Sequence, residues 1–130
     1  MELYLENPEG VVSHVPGLLS YESAELLKGK FSNYASKDSM YMTIIIPPDK
    51  GAIKDVEAAM NSIDMDIAEI KGNLKAAVSI SPGSVDELSR TIYWIDTNIY
   101  QLTRYAETMS VLCLMRSALE EGYTIRIVNS

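Results

Sequence analysis

The chain has 130 residues, 47% of them hydrophobic and 22% charged, enough apolar material for one domain with a real core and too much for a disordered tail. Eleven Lys and Arg stand against eighteen Asp and Glu, a net charge of −7, so neither a nucleic-acid backbone nor an anionic membrane is the expected partner. A single cysteine, Cys113, excludes an intrachain disulfide framework.

The elements follow in chain order. Residues 2–6 alternate weakly, with Leu3 and Leu5 on one face. Asn7-Pro8-Glu9-Gly10 has turn chemistry, and Val11, Val12 and Val15 supply a return strand, which predicts a β-hairpin over residues 2–15. Ser20 is placed to cap a helix over 21–35, with Leu27, Phe31 and Tyr34 at helical spacing. A polar link at 36–39 follows. Residues 40–46, with three consecutive isoleucines before Pro47-Pro48, predict a buried strand. Asp49 caps a helix expected over 50–62. Residues 64–71 and 74–81 read as two strands joined by a Gly72-Asn73 turn. Ser84-Val85-Asp86-Glu87 has the form of a capping box and opens a helix expected over 85–121, with Gly122 at its C-terminal cap and a last strand at 123–128.

Residues 40–128 therefore predict a β-α-β-β-α-β order, the pattern of a ferredoxin-like α+β sandwich, carrying an N-terminal β-hairpin plus helix (2–35) and an unusually long second helix. Strand–helix–hairpin–helix with Leu88, Arg90 and then Glu107-Thr108-Met109 is similar to the small dimeric subunit of the archaeal KEOPS tRNA-modification complex, over residues 41–109. The leading ββα piece and the closing strand depart from that family, and no site residue is carried over from it.

The long helix is the most informative segment. Leu88, Ile92, Ile95, Ile99, Leu102, Ala106, Met109 and Cys113 repeat at alternating steps of four and three, the spacing of a coiled-coil seam. Such a helix outreaches strands of about seven residues by roughly 30 Å. Three explanations compete: packing on the 21–35 helix, pairing with a second copy, or a break near Asp96-Thr97-Asn98. The expected interface residues are Ile99, Tyr100, Leu102, Met109 and Leu112.

Chemistry-bearing residues are few. His14 is the only histidine and could act as a base, but no nucleophile is patterned around it. Cys113, on the seam, reads as a small core hydrophobe. Asp64, Asp66 and Glu69 lack the pattern of a calcium loop and read as a solvated strand edge. Arg90 and Arg104 share an outer stripe of the long helix, with Tyr93 and Tyr100 one turn round. With His14 they form the candidate ligand-binding set for an anionic or aromatic molecule. No metal, cofactor or catalytic set is expected. Without a basic leader or an apolar span, a cytoplasmic protein is expected. The leading expectation is a non-enzymatic interaction module that homodimerises or docks through the long helix. Its rival is a small-molecule-binding domain or small enzyme, with a pocket between that helix and the N-terminal piece.

Overall fold

The computed structural model describes residues 1–17, 20–36 and 43–128. The polar link at 37–39 and the first three residues of the strand expected at 40–46 lie outside that range. The elements run β1 (Glu2–Glu6), β2 (Val12–Val15), α1 (Tyr21–Lys30), β3 (Thr43–Ile46), α2 (Lys50–Val78), α3 (Val85–Glu120) and β4 (Thr124–Val128), with a short 3₁₀ turn at Ser32–Tyr34. The fold is α+β: one four-stranded antiparallel sheet in the order β2-β1-β4-β3, and three helices, two of them long.

Local chemistry sets these boundaries. In the first hairpin the Gly10 N–H donates to the Asn7 carbonyl at 2.9 Å, the Asn7 side chain accepts from the Val11 N–H at 2.8 Å, and Gly10 takes φ +85°. The three helices start on the three expected caps: Ser20 accepts from Ser23 N–H, Asp49 from Ala52 N–H and Ser84 from Glu87 N–H. Glu87 reaches back to the Gly83 N–H at 2.6 Å, one residue before the position a standard capping box would serve. At the far end of α3, Gly122 at φ +88° donates to Leu119, and Tyr123 donates to Ala118. These are the two bonds of a Schellman motif, and they turn the chain directly into β4.

Cross-strand register places Leu3, Ile127 and Ile44 in one row and Leu5, Ile125 and Ile46 in the next. This face joins Leu27 and Phe31, the first half of α2 (Ala52, Val56, Ala59, Ile63) and the last turns of α3 (Leu112, Met115, Ala118, Leu119) in one core. The opposite face carries Glu2, Tyr4, Glu6, His14 and Arg126, and among the described residues no helix is laid over it; a salt bridge joins Arg126 to Glu6 at 2.9 Å.

Two expectations are overturned. Residues 64–78 are helix, so the β-α-β-β-α-β order and the ferredoxin-like reading do not hold, and neither does the strand–helix–hairpin–helix likeness built on the same hairpin. The physical reason is a heptad in α2: Val56, Ile63, Ile70 and Ala77 are all buried along α3, and that continuous burial outweighs the local turn preference of Gly72-Asn73. Asp64 and Asp66 therefore lie on different sides of a helix, instead of sharing a strand face. The helix from Ser20 is also shorter than expected, giving way to the 3₁₀ turn after Lys30.

The second correction concerns α3. It is continuous through Asp96-Thr97-Asn98, and the overhang beyond the sheet is covered along one side by the lengthened α2. Its inward residues are Asn98, Tyr105, Thr108, Leu112, Met115 and Leu119, one helical step round from the expected seam. Leu112, expected at an interface, is fully buried in its own chain, and Met109 packs half-buried against the core. Cys113 is exposed and not in the core.

Candidate functional site

The expected ligand set does not converge. His14 lies on the uncovered sheet face, its Nε2 2.6 Å from Glu2 and its ring 5.1 Å from that of Tyr4. Register fixes that placement, because Tyr4 pairs with His14 while Leu3 points into the core. Tyr93 is 75% exposed, and Arg90, near the free end of α3, reaches only the Asp86 carbonyl of its own helix, at 3.5 Å.

Tyr100 and Arg104 do come together, one turn apart on α3 where α1 crosses it. The Arg104 guanidinium carbon sits 5.0 Å from the Tyr100 ring centroid. Its Nη1 donates to Glu107 at 3.2 Å, while its Nε is shut off from solvent with no hydrogen-bond partner. The Tyr100 hydroxyl donates to Glu22 Oε1 at 2.8 Å. That bond, with smaller contributions from the Glu22 backbone N–H and from Arg104, holds the Glu22 carboxyl below its usual range; the same bond pushes the Tyr100 phenol up, against the opposing charge of Arg104.

The start of α1 is fastened at the same place. The Ser20 N–H donates to Glu107 Oε1 at 2.6 Å, and the Ser23 hydroxyl donates to the Arg104 carbonyl at 3.0 Å. Between the helices lies a cleft of about 320 Å³ lined by Glu22, Leu26, Thr97, Tyr100, Gln101, Arg104 and Tyr105. Sequence reasoning missed Glu22, Leu26, Gln101 and Tyr105. The three-residue spacing of Arg104 and Glu107 was a visible signal for part of the cluster, but nothing local ties Glu22 to a tyrosine 78 residues on.

The other feature is a surface. Val111 and Leu114 line a crevice with Met1, Leu3 and Val15, and Arg104 meets α1, so this side of α3 faces the sheet and α1. Helical periodicity turns the expected seam the opposite way. Val85, Ile92, Ile99, Ala106 and Cys113 are exposed there, beside Leu88, Ile95, Leu102 and Met109. The antiparallel helix α2 adds, along the edge of this stripe, half-buried Ile53, Met60 and Ile67, which also pack against the core, and half-buried Leu74. Charged Glu57, Asp64 and Lys71 border the stripe on α2, and Ser89, Asp96, Thr103 and Ser110 border it on α3. Ile92 and Ile99 are 50% and 49% exposed at its centre.

Among the described residues no group of three or more His, Cys, Asp or Glu side chains could hold a metal ion, and no helix is long and apolar enough to cross a membrane. Comparison with protein-family models, curated proteins and solved structures finds no match.

Proposed function

We propose that this protein is a non-enzymatic assembly module that homodimerises through the outward face of its α2/α3 hairpin. The observation that carries the reading is the unbroken apolar stripe from Val85 to Cys113, turned away from sheet and α1 and bordered by polar residues on both sides. A contiguous apolar surface with a polar rim is the usual mark of an association site. Its size suits a second copy. At 1.5 Å per residue the stripe is about 42 Å long, and two helices side by side are roughly 20 Å across, giving about 800 Å² per chain. That is the share each partner contributes to a standard stable interface, about 800 Å². Two such faces in twofold contact would form a four-helix bundle with a sheet on each outer side.

Two neighbouring substitutions test the reading. Ile99→Glu sets a carboxylate at the centre of the stripe and leaves the intrachain core untouched, so it should yield a folded monomer by light scattering and circular dichroism. Tyr100→Glu, on the other side of the helix, should keep the dimer mass. Its melting temperature should fall, because the new carboxylate faces Glu22 in place of a hydroxyl donor. If Tyr100→Glu dissociates the protein while Ile99→Glu does not, the interface lies on the α1 side and the proposal fails.

A further inference from the structure

The cleft between α1 and α3 is built differently from the stripe. It holds one cation and one carboxylate across an aromatic floor. Tyr100 meets both, its ring beneath the Arg104 guanidinium and its hydroxyl on Glu22 Oε1. Arg104 gives Nη1 to Glu107, and its Nε, buried and without an acceptor, leaves the Nε–Nη2 edge unused. That edge is the fork that a carboxylate fits with two parallel hydrogen bonds. The Glu22 carboxylate, exposed and also bonded by its own backbone N–H, keeps lone pairs to accept from a further donor. Leu26 and the Tyr105 ring provide apolar wall, and the Gln101 amide lines the same cleft. A buried donor without a partner is uncommon enough to call for an acceptor, and the Arg104 side chain that carries it lines a cavity of about 320 Å³, within the range of small-ligand pockets.

We propose that this cleft binds a small zwitterion, a free amino acid with an apolar side chain. Its carboxylate pairs with Arg104 through Nη2, a small turn of the guanidinium bringing the buried Nε onto the same group, its ammonium pairs with Glu22, and its side chain lies against Leu26 and Tyr105. A simple anion is disfavoured, because Glu22 and Glu107 both stand beside Arg104. A simple amine leaves the Arg104 donors unsatisfied. Only a molecule carrying both charges answers both ends. Glu22 and Leu26 come from α1 and the remaining groups from α3, so the ligand would also fasten one helix to the other.

The test is a two-dimensional NMR titration of the intact protein with L-leucine, L-methionine and L-phenylalanine at millimolar concentration. Two leucine analogues accompany them: isoamylamine, which lacks the carboxylate, and 4-methylpentanoate, which lacks the ammonium. At least one amino acid should shift the amides of Glu22, Leu26, Gln101 and Tyr105. With leucine as the reference, each analogue should bind at least about tenfold more weakly, the cost of one lost charge-assisted contact. Arg104→Gln should reduce leucine binding to the level of the amine, and Glu22→Gln to the level of the acid. Glu22 lies at the surface, so the second variant remains informative if the first unfolds. No shift with any of the three amino acids overturns the proposal, as do equal shifts from leucine and both analogues, or shifts confined to another part of the chain.

Discussion

At the scale of single residues, a few side chains fasten elements distant in sequence. Tyr34, the last residue of the 3₁₀ turn, donates a hydrogen bond to Asp55 on α2. That bond, with partial burial and the carboxylate charge behind it, pushes the phenol up to about 12. The sign of the consequence is fixed. Above the ordinary tyrosine value of 10.0 the unfolded chain loses this proton while the folded chain keeps it. The folded state then binds more protons, and stability falls with rising pH until the folded phenol ionises near 12. An ultraviolet titration should therefore show late-titrating phenol whose amplitude shrinks in Tyr34→Phe, with Tyr100 left as the other raised phenol, and the alkaline decline in melting temperature should be shallower in that variant. A late phenol of undiminished amplitude in Tyr34→Phe would contradict the assignment. The candidate site was legible at this scale only in part. Spacing along one helix brought Tyr100 and Arg104 together, because neighbours at four residues share a face. Their partner Glu22 was not legible, because its place depends on how α1 crosses α3.

At the scale of elements, helix ends were readable and helix extents were not. Ser20, Asp49, Ser84 and Gly122 mark their boundaries through side-chain or backbone chemistry that acts over three or four residues. The second half of α2 has no such local signal. Alternating Asp64, Met65, Asp66 and Ile67, followed by Gly72-Asn73, imitates a hairpin, whereas the buried heptad Val56, Ile63, Ile70 and Ala77 becomes decisive once α3 lies alongside. Gly72 tests the point. A Cβ added there meets nothing within 4 Å, and the residue is exposed in a helix interior. Gly72→Ala should therefore stabilise the protein by about 1 kcal/mol, a rise of about 4 °C in melting temperature. In a hairpin turn needing positive φ the same change would destabilise, so a lowered melting temperature would refute the helix. The stripe on α3 was equally visible as a pattern. Its direction was not, because two overlapping seams run along that helix and only the sheet and α1 decide which one turns inward.

At the scale of the whole molecule, the strands determine which surface remains. The N-terminal hairpin extends the sheet on β4, and the sheet buries one face of the helical layer near its base. The other face of that layer keeps the apolar stripe on which the proposed dimer rests. In the proposed dimer the charge of −7 opposes association, since copies of an acidic chain repel. Raising the salt from low to physiological concentration should accordingly strengthen the dimer, measured as a lower dissociation constant by light scattering. Weakening by salt would point instead to an interface held by ion pairs. The most direct measurement is sedimentation equilibrium of the unaltered protein at micromolar concentration. The account predicts a mass of twice 14.4 kDa, and a mass of 14.4 kDa at every concentration would contradict it.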